Sequence, residues 1–366
     1  MNLPVIQTQS GSADDSASSD RRHLLNLSLA ELQQWLVDHG EPKFRGKQIF
    51  GWVYEKRVSQ FDQMSDLPKK LREKLDQEFI VFGAREAAVQ TSRDGTDKLL
   101  VRLADGGEVE CVLLRGGNRR SICVSSQVGC AMGCVFCASG LDGVDRNLTR
   151  GEIIEQMLRL QARLDDGERL SHIVMMGMGE PLANLEQVLG ALEIAKSADG
   201  LGISPRRITI STVGLPPAID RLAKNGVPYN LAVSLHAPNE ELRNQLVPVN
   251  HKIGINAVLA AADRYFESSG RRLTFEYVLL GGVNDAAEHA RELAGILKSR
   301  NVLLNVIPYN PVEGLPYHTP SRHSIADFRQ ILESAGVNVM FRQRKGDEID
   351  AACGQLRRNR ATQPEA

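Results

Sequence analysis

A chain of 366 residues exceeds what one minimal domain needs and suits a single α/β barrel with attachments. Its hydrophobic content of 42% provides an ordinary globular core, and its net charge of −1 excludes a globally basic nucleic-acid protein while leaving room for a local basic patch. No apolar run reaches the roughly 18 residues of a membrane span, and the first twenty residues of the tail over 1–23 lack the basic and apolar regions of a signal peptide. They read as a disordered tail rich in Ser, Asp and Gly, so a cytoplasmic protein without membrane contact is expected.

Residues 24–90 read as a small helical domain. Leu29, Leu32 and Leu36 follow helical spacing, with Ser28 as N-cap and Glu31 completing a capping box. KFRGKQIFGWVYEK sets Phe44, Ile49, Trp52 and Val53 among Lys43, Arg45, Lys47 and Lys56, and LPKKLREKL opens on Pro68. This basic, partly aromatic face is either a solvated bundle surface or an RNA-contacting accessory domain. Residues 91–120 alternate and carry the turn signals Asp94-Gly95 and Gly106-Gly107, predicting a β-hairpin or small meander.

From residue 121 the pattern changes. SICVSSQV, HIVMMGM, RITISTV, YNLAVSL, LTFEYVLL and VLLNVIP read as six strands, separated by helical stretches such as GEIIEQMLRLQARL and LEQVLGALEIAK. Six βα units fall short of the eight of a full barrel. The expected fold class is therefore α/β, a partial (β/α)6 barrel over residues 121–345, with an open doubly wound sheet as the competitor. Either architecture puts the chemistry beyond the C-terminal ends of the strands. After the sixth strand, Ser324 is expected to cap a helix carrying Ile325, Phe328 and Leu332, followed by a strand VNVMF and a C-terminal segment over 346–366.

Five of the six cysteines fall between Cys111 and Cys137. A disulfide framework belongs to small secreted chains, so the cluster reads as a metal or redox site. Cys130, Cys134 and Cys137 form C-x3-C-x2-C directly after the first strand of the barrel. Three thiolates can hold three irons of a four-iron cluster and leave the fourth open to chelate a ligand. A zinc site is the alternative, but it wants a fourth ligand and no His lies nearby in sequence. Gly177, Gly179 and Glu180 end the second run, Ser211 lies late in the third, Ser234, Leu235 and His236 close the fourth, and Asn310 follows the sixth. Singly each is a loop or cap residue; together they share strand ends. Cys353 is flanked by Arg342, Arg344, Lys345, Arg357, Arg358 and Arg360, which favour thiolate and suit phosphate contact. Cys123 and Cys111 read as buried strand thiols, although strand alternation can point Cys123 into the barrel.

The C-x3-C-x2-C pattern, with Phe136 before its last cysteine, resembles the radical S-adenosylmethionine (SAM) superfamily. CVSSQVGC, GMGEPLAN and GDEIDAACGQL together resemble the RlmN family, the dual-specificity RNA methyltransferases that act on carbon 2 of adenine. The resemblance implies a [4Fe-4S] cluster on Cys130, Cys134 and Cys137. It implies SAM contacts at Gly179, Glu180, Ser211, Ser234, Leu235, His236 and Asn310, and two SAM molecules per turnover. One SAM methylates Cys353, and the second yields a 5′-deoxyadenosyl radical that takes a hydrogen from the S-methyl group. The methylene adds to the adenine carbon, Glu110 accepts the ring proton, and Cys123 releases the product by pairing with Cys353 in a transient disulfide. Read as physics alone, Glu110 is an exposed strand residue. The implied substrates are large-subunit ribosomal RNA and transfer RNA next to the anticodon, with the base unstacked into the barrel. An electron donor such as flavodoxin and a monomeric chain complete the expectation. The rivals are a carbon-8 adenosine methyltransferase of the antibiotic-resistance type, a radical SAM activase or dehydrogenase, and an iron–sulfur RNA-binding regulator.

Overall fold

The computed structural model describes residues 21–342. It begins with the capping box expected at Ser28: Glu31 N–H donates to Ser28 Oγ, and Ser28 N–H donates to Glu31 Oε2. This starts α1 (Leu29–Asp38), whose Leu32 and Leu36 are fully buried while Leu29 sits at the edge of the core. α2 (Arg45–Phe50) runs into a π-helical turn over Gly51–Glu55, and α3 (Lys69–Glu78) follows. A two-residue parallel pairing of Arg22–His23 with Phe79–Ile80 closes the unit.

The helical character expected through residue 90 stops at Glu78. Arg85–Thr91 is a strand, β1, paired antiparallel with β2 (Asp97–Arg102) across a turn in which Gly95 takes a φ of +78°. Glu86, Ala87 and Ala88 are good helix formers, so local propensity concealed the strand; the cross-strand pairing with β2 overrides it. β3 (Glu108–Gly116) completes the predicted meander and pairs antiparallel with β4 (Arg119–Cys123).

From β4 onward the pairing is parallel. β5 (His172–Met175), β6 (Ile208–Thr212), β7 (Asn230–Ser234), β8 (Leu273–Leu279), β9 (Val302–Pro308) and β10 (Val339–Phe341) join β4 in strict chain order. The six predicted runs are thus β4 to β9, and VNVMF supplies β10. An order that never reverses has no switch point, which removes the doubly wound alternative. The sheet curls on itself: Lys98 on β2 and Arg342 just past β10 line one cavity.

The helices α4 (Arg150–Gln161), α5 (Leu185–Lys196), α6 (Pro216–Lys224), α9 (Ile255–Ser269), α10 (Ala287–Leu297) and α11 (Arg322–Ser334) lie between or after the strands. Two short helices, α7 (Glu240–Leu246) and α8 (Asn250–Ile253), precede α9. The cap of α11 is Ser321 rather than Ser324: Ser321 Oγ accepts the Ser324 N–H, so the helix begins earlier than its apolar stripe. None of the helices described is long and apolar enough to cross a membrane.

The helical unit shares one apolar core with the barrel. A polar hub at Glu155 of α4 fixes the seam. Its carboxylate accepts from Gly83 N–H (2.9 Å), Ala84 N–H (3.1 Å) and Arg159 Nε (2.9 Å), and pairs with His23 Nε2 at 2.8 Å. Burial alone would raise this carboxyl, but His23 and Arg159 hold it below the usual carboxylate range.

Candidate functional site: a three-thiol cavity at the strand ends

Two sequence segments cross-brace the mouth of the barrel. Ser125 Oγ donates to the Glu110 carbonyl (2.6 Å) and accepts from Met178 N–H (2.8 Å), while Gln127 Oε1 accepts from Glu180 N–H (2.8 Å). Asn184 Nδ2 donates to the carbonyls of Ser126 and Leu148. Gly177 and Gly179 allow this contact. A Cβ at Gly177 would meet the Val124 carbonyl at 2.7 Å, and one at Gly179 would meet Gln127 N at 2.7 Å. The close approach that these glycines permit is therefore first to neighbouring backbone, not to a ligand.

The loop after this brace carries the cysteines. Cys130 N–H donates to the Gly143 carbonyl, Cys137 N–H to Cys134, and Val135 N–H to Leu246 on α7. Cys130, Cys134 and Cys137 all line a cavity of about 400 Å³ beyond the strand ends. Burial pushes the Cys130 thiol up to about 11, against the pull of the Met132 and Gly179 N–H groups. Burial pushes Cys134 up further, with the neighbouring thiols adding to it and the Arg243 guanidinium opposing. Buried thiols of this kind need a cation to become thiolates. Among the described residues no three His, Cys, Asp or Glu converge tightly enough for a single ion. Three thiols spread around one cavity instead fit a cluster that takes one cysteine per iron.

The cavity also gathers Cys123, Gly179, Glu180, Ser211, Ser234, His236 and Asn310. Glu180 is buried, its carboxylate accepting from Leu182 N–H (3.0 Å) and Val213 N–H (2.8 Å); burial raises it to about 7 in spite of these bonds. His236 takes a φ of +60°, packs edge-on against Phe136, and accepts the Val278 N–H at Nδ1 (3.1 Å). Burial lowers it to about 3, so the ring is neutral at physiological pH and its proton sits on Nε2. Cys123 ends β4 in register with Val112 and Val174, which line the same cavity.

Two expected residues are placed differently. Leu235 is fully buried in the core, its N–H donating to the Glu276 carbonyl and its carbonyl accepting from Arg243 Nε, and it does not line the cavity. Glu110 is also buried, not exposed, and forms an ion pair with Lys98 at 2.8 Å; Lys98, not Glu110, lines the cavity. Cys353 lies outside the described residues.

Sequence reading missed Arg243, Glu276 and Lys98. Arg243 is fully buried on α7 and donates to the carbonyls of Val213 (2.6 Å), Ser234 (3.1 Å) and Leu235 (3.1 Å), tying the ends of β6 and β7 together beside Cys134. In ELRNQL it reads as an ordinary solvent-facing charge, and nothing local marks it.

A curled parallel sheet with a three-cysteine loop at its mouth defines the radical SAM class. Residues 124–294 match the model of the Radical SAM superfamily, and residues 22–81 match that of the ribosomal RNA large subunit methyltransferase N-terminal domain. The crystal structure of a radical SAM methyltransferase from Sphaerobacter thermophilus is similar, with a TM-score of 0.89 and 44% identity, over 91% of this chain and 98% of that one. A protein of Rhodopirellula baltica named "Probable dual-specificity RNA methyltransferase RlmN" is 71% identical over 98% of this chain and 96% of its own length. A Bacillus subtilis protein of the same name is 46% identical over 93% and 94%. The chain belongs to the RlmN family of radical SAM RNA methyltransferases. A [4Fe-4S] cluster and SAM are the cofactors that come with this family.

Proposed function

We propose that this chain methylates carbon 2 of adenosine in large-subunit ribosomal RNA and in transfer RNA next to the anticodon, using Cys353 as methyl carrier and two SAM molecules per turnover. The observation that carries the reading is the shared cavity: the Cys123 thiol opens onto the same space as Cys130, Cys134 and Cys137. The three cysteines that would hold the cluster and a thiol able to resolve Cys353 therefore share one chamber. When bound, the cluster and SAM supply a 5′-deoxyadenosyl radical.

The chain's own residues hold the reactants. In this reading Glu180 and the neutral His236, through its Nε2–H, orient SAM with Ser211, Ser234 and Asn310, and Gly179 acts through its backbone, while Leu235, buried with its N–H and carbonyl both engaged within the protein, only holds Ser234 and His236 in place. Glu110 is assigned the adenine ring proton, with Lys98, 2.8 Å from its carboxylate, standing between it and the cavity. Cys123 then displaces the product from Cys353 as a disulfide forms, with electrons resupplied by a donor such as flavodoxin. Residues 22–81 serve as the RNA-binding unit; Phe44 is exposed there, beside the Arg45 guanidinium, and Lys56 stacks on Trp52 at 3.3 Å. The chain works as a monomer in the cytoplasm.

The test is peptide mass spectrometry of Cys353 after anaerobic incubation of the reconstituted protein with SAM, followed by nucleoside analysis of added RNA. The expected result is an S-methyl group on Cys353 that reappears in 2-methyladenosine, and no product from Cys353→Ala. Equal RNA methylation by the alanine variant would remove the methyl-carrier role.

A further inference from the structure

Two glutamates line the cavity, and the assignments above use only one of them. Glu180 has both carboxylate oxygens engaged by backbone N–H groups. Glu276 differs. It lies on β8, in register with Ser234 on one side and Asn305 on the other, and is only 5% exposed. Its Oε2 accepts from Asn305 Nδ2 at 2.7 Å. No donor among the described residues reaches Oε1, and that atom is not among the fully enclosed orphans, so its opening is the cavity itself. Arg342 lines the same side and acts on the carboxyl through space without forming an ion pair with it.

A buried carboxylate oxygen left without a partner is disfavoured, and proteins keep such an atom where something else completes it. The occupant must offer a hydrogen-bond donor and no negative charge, because a carboxylate only accepts. A ribose hydroxyl meets this need, and acidic side chains serve that purpose in nucleotide sites. The location selects the source. Ser234, directly across from Glu276, already stands on the SAM side of the cavity, and Asn310 follows the end of the neighbouring β9.

We propose that Glu276 is a binding residue for SAM, its free oxygen accepting a hydrogen bond from a ribose hydroxyl, with Asn305 holding the carboxylate in place. The proposal rests on reading this cavity as the SAM site. The experiment is equilibrium dialysis of SAM, and of its 2′-deoxyribose and 3′-deoxyribose analogues, against the reconstituted protein and Glu276→Gln. The amide keeps the shape of the side chain and an acceptor for Asn305, and iron content reports that the fold and cluster survive. SAM should bind the variant about 10- to 100-fold more weakly, the loss expected for one charged hydrogen bond. One of the deoxy analogues should bind both proteins alike. Unchanged SAM affinity in the variant overturns the assignment, as does an equal loss for all three ligands, which would mean that the amide merely disturbs the cavity. Weakened RNA binding with unaltered SAM binding also overturns it. Failure of the unsubstituted protein to bind SAM would instead bring down the reading of the cavity on which the assignment stands.

Discussion

The buried carboxylates of the seam and of the cavity are treated in opposite ways. At the seam, Glu155 meets His23, Arg159 and two backbone N–H groups, and its carboxyl is held below the usual range. In the cavity, Glu180 and Glu276 have no ion pair among the described residues, and burial raises each to about 7. The meander follows the first pattern, with Glu110 against Lys98. A compensated carboxylate is a fastening; an uncompensated one is an unfinished contact that a ligand can complete.

Removing a fastening should have the largest effect on stability. Glu155→Ala leaves His23, Arg159 and the Gly83 and Ala84 amides without their acceptor, and should cost about 3–5 kcal/mol in urea unfolding. The contribution has a pH signature. The folded carboxyl lies below its unfolded value of about 4.3, so the stabilisation is complete above that pH and is lost as acid takes the solution through the folded value. An Ala variant as stable as the parent at pH 7 would erase the contrast between seam and cavity.

Glu276 should behave with the opposite sign in the cluster-free protein. Its folded carboxyl titrates near 7 and its unfolded one near 4.3, so the unfolded chain releases the proton first and stability falls as pH rises between these values. Glu276→Gln should flatten that slope and be more stable than the parent at pH 8, by roughly 4 kcal/mol at most, with Glu180 adding to the remaining slope and the neutral His236 opposing it below about pH 6.5. Urea midpoints at pH 5 and pH 8 decide this; parallel curves for the two proteins would show that the cavity carboxylate is compensated after all.

The smallest effect belongs to an exposed carboxylate. Glu31 is satisfied by Ser28 N–H and by Arg150 at 2.9 Å. Glu31→Ala removes the carboxylate half of the capping box and the exposed Arg150 pair, and should cost about 1 kcal/mol, read as a shift in melting temperature. A loss as large as that of Glu155→Ala would mean that exposure does not separate the two.

These contrasts also explain what the sequence made legible. The six barrel strands were visible because Ile, Val and Leu repeat in short bounded runs, as in ITIST and LAVS, and the capping box at Ser28 is local in sequence. Strand β1 was not visible, because Glu86, Ala87 and Ala88 favour helix and only the partner strand overrides them. Three of the cavity's contributors, Cys130, Cys134 and Cys137, sit within eight residues and declare themselves by spacing. Glu276, Arg243 and Lys98 do not, since a lone charge on a strand or short helix looks solvated until the sheet curls around it. Leu235 shows the converse: its neighbours Ser234 and His236 reach the cavity, while Leu235, just past the end of β7, turns into the core.

The hub at Glu155 has a consequence for how the chain is made. It joins His23 to a residue 132 positions later, across the whole meander. On the ribosome the N-terminal helices emerge first and can form as a unit, but their berth does not exist until α4 has been synthesised. The RNA-contacting unit proposed above therefore waits for its anchor, and later strands add in order to an edge already in place, because each of β5 to β10 pairs with the strand before it. Assembly can keep pace with synthesis and never needs to reopen a finished sheet.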